Sequence, residues 1–317
     1  MTHPDDVIVS LMGPTASGKT DLAMRIADAL PVEIISVDSA MVYRDMNIGT
    51  AKPTPAVLER YPHRLIDLKD PAESYSVGQF VADARACIAA AREAGRLPLL
   101  VGGTMLYFKA FKGGIADLPE TSEEIRTELE RRAQREGLAA LHRELQRIDP
   151  VAAAGIHPNN PQRLLRALEV YATSGRPISE FWARQPNGGV AQALGCRLLE
   201  FAIEAPRDVV NARIERRFGD MLNGGLLDEV RALMVRGDLS LEFPSMRAVG
   251  YRQVWQHLSG EIDRETMVDR AVAATRQLAK RQRTWLRSWS GKTVLNDAVE
   301  AGPILQSIRG DRIVRRS

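Results

Sequence analysis

The sequence predicts an α/β protein: a parallel sheet flanked by helices, interrupted by an inserted helical segment. Three observations carry this expectation. A short apolar run, Val7 to Met12, ends directly in a glycine-bearing loop, GPTASGKT. A helical pattern and a second apolar run follow, in the order of a βαβ unit. Between residues 120 and 195 the chain turns charged and helical, and strand character returns at Arg197.

Each element follows from local pattern. Asp21 to Leu30 places Leu22, Ile26 and Leu30 on one helical face. Val32 to Val37 reads as a second strand ending at Asp38, and His63 to Leu68 as a third. Val77 to Ala94 is a long helix, with Ser76 suited to cap its start and Gly95 to stop it. Leu97 to Val101 is a strand running into Gly102-Gly103-Thr104. Glu120 to Ile148 has helical periodicity, and Pro150, Pro158 and Pro161 then punctuate the chain. Gln162 to Ser174 is a further helix, and Gln185 to Gly189 a loop. Arg197 to Ile203 is a strand. Pro206 opens a helix through Met221, Gly224-Gly225 breaks it, and Leu226 to Val235 resumes. A basic helix bearing tryptophans runs from Met267 to Trp289, and Thr293 to Leu295 forms an edge strand. The expected core is 1–119 with 196–317, and the expected insertion 120–195.

Composition narrows the function classes. At 317 residues and 44% hydrophobic, the chain can bury a large core. Its net charge of +3 is near balance, so partners must be read from local clusters. Cys87 and Cys196 lie far apart in apolar stretches, which suggests buried thiols and no zinc site. The start, MTHPDD, is acidic and leads into a strand, unlike a secretory leader. No apolar run approaches the ~18 residues of a membrane span. A cytosolic protein is expected.

The glycine loop fits G-x-x-x-x-G-K-[ST]. Gly13 and Gly18 let the backbone curl so that amide N–H groups face an anion. The following helix adds its positive end. Lys19 can reach outer phosphate oxygens, and Thr20 can place its hydroxyl on Mg²⁺. Asp38 lies at the carboxyl end of a strand, where open α/β sheets place their sites. There it is a metal ligand, a general base or a helix cap, since Asp-Ser also caps well. Thr104 sits at the same sheet edge and can reach the same phosphates. No carboxylate follows the Leu99 to Val101 run, as an ATPase would require.

Basic clusters supply the remaining signal. Arg163 and Arg166 share a helix face. Arg247 and Arg252 flank AVGY. Arg270 to Arg287 carries basic side chains and no acidic one, with Trp285 and Trp289 beside it. Such a run is often a solvated face. With aromatics it also suits a nucleic-acid backbone. The tryptophans themselves fit a core role better than a stacking one.

Taken together, GPTASGKT (13–20), DSAMVYRDMNIGTAKP (38–53), HRLID (63–67), YSVGQF (75–80), VGGTMLYFKA (101–110), NPQRLLRALEV (160–170), MRAVGYRQVW (246–255) and TRQLAKRQRTWLR (275–287) resemble the bacterial tRNA dimethylallyltransferases. The likeness runs in order through nearly the whole chain. It implies a P-loop NTPase-like fold that binds a diphosphate. It also implies transfer of a dimethylallyl group from dimethylallyl diphosphate to N6 of adenosine-37 in tRNA. Mg²⁺ is the expected cofactor, and a monomer is expected, although the sequence does not give the oligomeric state.

By the same resemblance, Gly13, Pro14, Thr15, Ala16, Ser17, Gly18, Lys19 and Thr20 hold the diphosphate. Asp38 is the general base, Thr104 bonds the donor near its leaving oxygen, and Lys19 assists. The tRNA contacts implied are Asp38, Ser39, Ala40, Met41, Thr104, Arg126, Gln162, Arg163, Leu164, Leu165, Arg166, Arg247, Ala248, Val249, Gly250, Tyr251 and Arg252. Arg276, Lys280, Arg281 and Arg283 of the basic helix line the channel or hold the RNA. The competing readings are a small-molecule kinase, an adenylate isopentenyltransferase and an RNA-binding protein without chemistry. The first accounts for residues 1–112 but leaves the basic helix unexplained. The second needs no RNA-facing segments.

Overall fold

The computed structural model describes residues 7–185, 188–296 and 301–314. Residues 186–187 of the expected Gln185–Gly189 loop, and the acidic start, lie outside them. The chain begins with β1 (Val7–Met12), α1 (Lys19–Ala29), β2 (Val32–Val37), α2 (Pro55–Arg60), β3 (His63–Arg64), α3 (Val77–Glu93), β4 (Leu97–Gly102) and α4 (Met105–Gly113). Five helices follow: α5 (Glu123–Glu136), α6 (Leu138–Ile148), α7 (Pro150–Gly155), α8 (Pro161–Ser174) and α9 (Ile178–Ala183). The chain then returns with α10 (Val190–Ala193), β5 (Arg197–Ile203), α11 (Arg207–Asn223), α12 (Leu226–Val235), α13 (Tyr251–Leu258), α14 (Arg264–Arg287), β6 (Thr293–Leu295) and α15 (Gly302–Val314).

Two compact units result. One joins Met1–Lys112 with Val190–Ser317, and the other is Gly113–Gly189. The first holds a six-stranded sheet, ordered β3-β2-β4-β1-β5-β6, with every pairing parallel. A parallel sheet needs both faces covered, so its central strands β1, β2 and β4 are mainly apolar. Alternation along β1 shows this: Ile8 and Met12 join one core cluster with Phe80, Phe108 and Phe111, while Val9 and Leu11 join another with Leu22, Ile26 and Ile304. Cys87 and Cys196 are half-buried against the first cluster. A third cluster gathers Val42, Tyr43 and Met46 with Leu226, Val230, Tyr251 and Met267.

Local chemistry explains most boundaries. Ser76 caps α3 with a full capping box to Gln79, and Gly95 turns left-handed at φ 66° just beyond the helix. Asp263 caps α14 by accepting the Thr266 N–H, so the basic helix starts three residues before the expected Met267. The expected third strand is shorter than predicted. Only His63 and Arg64 pair with β2, because Leu65 and Asp67 adopt left-handed backbone (φ 63° and 55°), which no strand accommodates. The Glu120–Ile148 helix is two helices, split by Gly137 at φ 81°.

The second unit has its own core. Leu129, Leu141, Leu145, Leu164, Leu168 and Ile178 pack together from α5, α6, α8 and α9. Among the described residues, no helix is long and apolar enough to cross a membrane.

Candidate active site

The site begins where the central strands end. The carboxyl ends of β1, β4 and β2 are neighbours in the sheet, and each delivers one chemistry-bearing residue or loop. Gly13 N–H donates to the Gly102 carbonyl at 3.3 Å, and Thr104 N–H to the Val37 carbonyl at 3.2 Å. These close approaches exclude side chains. A Cβ on Gly102 would stand 2.0 Å from the Val37 carbonyl oxygen, and one on Gly13 2.6 Å from Ser17 Oγ.

The loop from Gly13 curls through Ala16 (φ 61°) and Gly18 (φ 88°) into the first turn of α1. Gly13, Pro14, Ala16 and Ser17 are buried, so they offer backbone to a ligand. Lys19 folds back and donates from Nζ to the Pro14 carbonyl at 3.1 Å. Ser17 Oγ is buried and has no partner among the described residues.

A cleft of about 710 Å³ opens over this edge. Thr15, Lys19, Thr20, Asp38, Thr104, Arg217, Arg247, Arg281 and Gln282 line it. Burial pushes the Lys19 ammonium down to about 8; Asp38 pulls it up, and Arg217 pushes it further down. Arg217 keeps an open surface but stands in the concave wall. Surrounding protein displaces part of its solvent and lowers its pKa, as do Arg213 and Arg216, against the pull of Asp21. Two cations thus repel one another here, an arrangement that a bound polyanion relieves.

Asp38 fills the structural one of the roles its position suggests, at a turn and not at a helix start. Its Oδ1 accepts the N–H groups of Ala40 at 2.8 Å and Met41 at 3.2 Å, so it does close the turn after β2. Its Oδ2 has no hydrogen-bond partner among the described residues. Thr104 Oγ1 accepts the Ser39 N–H at 3.1 Å.

The predicted residues therefore divide. Thr15, Lys19, Thr20, Asp38 to Met41, Thr104, Arg247 to Gly250 and Arg281 share the cleft. Arg276 pairs with Glu215 beside a separate groove, while Lys280 and Arg252 are exposed and Arg283 is half-buried. In the second unit, Gln162 and Arg163 are exposed in the first turn of α8. Arg166 and Arg126 both engage the buried Glu169, at 3.1 and 3.7 Å. Leu165 packs against that unit's core. Leu164 and Tyr251 are each 0% exposed, so their side chains build cores, and any contact to a partner at these positions falls to backbone or to neighbouring residues.

Two contributors, Arg217 and Glu229, lie outside every matching stretch, and a third, Gln282, lies within TRQLAKRQRTWLR but is not among its expected contacts. Arg217 comes from α11. Gln282 of α14 accepts the Thr15 N–H at 2.9 Å and donates to the Gly103 carbonyl at 2.9 Å. Glu229 of α12 accepts the N–H groups of Asn47, Ile48 and Gly49 at 2.9, 2.8 and 3.1 Å, and also the Tyr251 hydroxyl. It thereby seats the loop after β2, where Gly49 lies so close to the Tyr251 ring that a Cβ would stand 2.4 Å from it.

A parallel sheet whose central strand opens into a lysine-bearing phosphate loop, with a carboxylate and a basic helix on the same edge, defines the P-loop class. Comparison with known proteins narrows this. The family model IPP transferase matches residues 41–289, and the model Isopentenyl transferase matches residues 7–71. A tRNA dimethylallyltransferase of Chromohalobacter salexigens is 54% identical over 98% of this chain and 99% of its own. A tRNA dimethylallyltransferase 2 of Hahella chejuensis is also 54% identical, over 89% and 88%. The solved tRNA isopentenylpyrophosphate transferase of Bacillus halodurans is 36% identical, with TM-score 0.68 over 98% of this chain and 100% of that one. A eukaryotic dimethylallyltransferase acting on tRNA reaches TM-score 0.81 at 24% identity, covering 98% and 80%, a likeness of fold alone. The chain belongs to the IPP transferase family.

Proposed function

We propose that this chain transfers a dimethylallyl group from dimethylallyl diphosphate to N6 of an adenosine in tRNA, at position 37, and releases diphosphate. The observation that carries the reading is the crowding of Lys19 and Arg217 at a phosphate loop that faces Asp38. The names of the relatives supply the group transferred and the acceptor class.

The chemistry follows from those groups. The N6 lone pair attacks the first carbon of the allyl chain, and the carbon–oxygen bond to diphosphate breaks. Lys19, Arg217 and the loop amides hold the charge that develops on the leaving oxygens. Asp38 Oδ2 takes the proton from N6, while Oδ1 stays committed to the turn. The Thr104 hydroxyl can donate to the donor's bridging region while accepting from Ser39. A stacked adenine cannot reach this edge, so the base is flipped out at a cost of about a few kcal/mol. Oxygen donors in the cleft fit Mg²⁺: the Thr20 hydroxyl would hold it with the donor's phosphate oxygens, near Asp21. When bound, the ion adds positive charge to that of the two side chains.

A single-turnover assay with labelled dimethylallyl diphosphate tests the reading, with tRNA and free adenylate as rival acceptors. Label in tRNA is the expected result. Label in adenylate alone, or phosphoryl transfer from ATP without use of the donor, overturns it.

A further inference from the structure

The basic helix α14 touches the phosphate loop itself. Thr275, Leu278, Arg281, Gln282 and Trp285 recur at helical spacing and all line the cleft. One turn below, Ala279 packs with Ala16 of the loop in a small buried cluster completed by Val210 and Ile214. Ala16 holds a left-handed backbone, φ 61°, which is unfavourable for any residue with a Cβ. Something must hold it there. The Gln282 amide does so from both sides: Oε1 accepts the N–H of Thr15, adjacent to Ala16, and Nε2 donates to the carbonyl of Gly103, adjacent to Thr104. A Cβ on Gly103 would stand 2.4 Å from Nε2, so Gly103 is the residue that lets the amide in.

We propose that Gln282 is a positioning residue: it clamps the phosphate loop to the end of β4, and so sets the curvature with which the loop meets the donor's diphosphate. The inference rests on the proposed function. Gln282 itself need not touch the reacting atoms. Its Oε1 satisfies the Thr15 amide, which leaves the later amides of the loop and Lys19 to face the anion. Its Nε2 fixes the register of Gly103 and hence of Thr104. Only a side chain that both accepts and donates can serve, because one partner is an N–H and the other a carbonyl.

That requirement gives a test with two substitutions in the full chain. Q282M keeps length and packing but loses both hydrogen bonds. Q282E keeps the acceptor, but its ionised carboxylate meets the Gly103 carbonyl without a proton; once protonated, it can donate again. The readouts are affinity for inorganic diphosphate by calorimetry, KM and kcat with dimethylallyl diphosphate, affinity for an anticodon stem-loop RNA, and melting temperature. Lys19→Ala serves as the control for anion binding.

For Q282M we expect diphosphate affinity to fall and donor KM to rise by about tenfold, with RNA affinity within about twofold of the parent. For Q282E we expect a larger loss at about pH 7, recovering relative to the parent as pH falls toward about 5. Q282M with parental diphosphate affinity and donor KM overturns the proposal, whether or not its melting temperature drops; if Lys19→Ala still abolishes binding, the function stands. A Q282E loss that does not recover at low pH also overturns it. Parent protein that binds no diphosphate removes the proposed function, and the clamp with it.

Discussion

Thr104 Oγ1 accepts the backbone N–H of Ser39 at 3.1 Å, tying the end of β4 to the loop that leaves β2. This contact sets the hydroxyl beside Asp38, at the edge where the donor's leaving oxygen is proposed to lie. Thr104→Ala removes the acceptor for Ser39 and the donor to diphosphate together. The expected loss in kcat/KM is about 10²-fold, and Thr104→Ser should recover most of it. Steady-state kinetics on both variants checks this; near-parental turnover by Thr104→Ala contradicts it.

Lys19 predicts a pH dependence. Its pKa is lowered to about 8, so below that value the side chain already carries its charge. Bound diphosphate favours the charged form and raises the pKa in the complex. The Lys19 contribution to donor affinity should therefore be constant below pH about 8, and fall by up to about tenfold per unit as pH rises above it. Lys19→Arg stays charged throughout and should lose this limb, though it binds less well. Calorimetric titration at several pH values decides; affinity that rises above pH 8 has the wrong sign.

Asp38 separates chemistry from structure through its two oxygens. Asp38→Asn keeps an acceptor for Ala40 and Met41 but cannot take a proton. Its single-turnover rate should drop by about 10²–10⁴, with melting temperature nearly unchanged. Asp38→Ala should lose the rate and about 0.5–2 kcal/mol of stability as well. Turnover and calorimetry on the same samples measure both effects. A fast Asp38→Asn enzyme would leave the carboxylate a turn closer only.

Glu229 gathers three backbone N–H groups and the Tyr251 hydroxyl, and so holds the loop whose Gly49 lines the cleft. Burial and the Glu229 charge both push the Tyr251 pKa up, which keeps its proton available for this bond. Glu229→Ala should cost about 2–3 kcal/mol, and Tyr251→Phe about 1. Chemical denaturation measures both. Equal stability in all three proteins would mean the loop after β2 is held by packing alone.

Much of this site is legible in local sequence. The phosphate loop, Asp38 and Thr104 announce themselves because each follows an apolar strand, and strand ends of a parallel sheet share an edge. What local pattern cannot show is which distant side chain reaches that edge. Gln282 lies 267 residues from its partner Thr15, and only the packing of α14 brings them together. Arg217 and Glu229 sit on helices whose periodicity marks buried positions but not which polar ones turn toward a cleft. Membership of a matching stretch is also no guide to facing, as Leu164 and Tyr251 demonstrate by being fully buried. His63 to Leu68 reads as a short strand, yet Leu65 and Asp67 turn left-handed, where Lys52 pairs with Asp67.

The fate of each half of the donor tests the central claim most directly. Dimethylallyl diphosphate carrying one label in its first carbon and another in its phosphates would be turned over once with tRNA. The account predicts carbon label in the RNA and an equal quantity of phosphate label released as diphosphate. Phosphate label on the RNA, or carbon label that never leaves the donor, would contradict it.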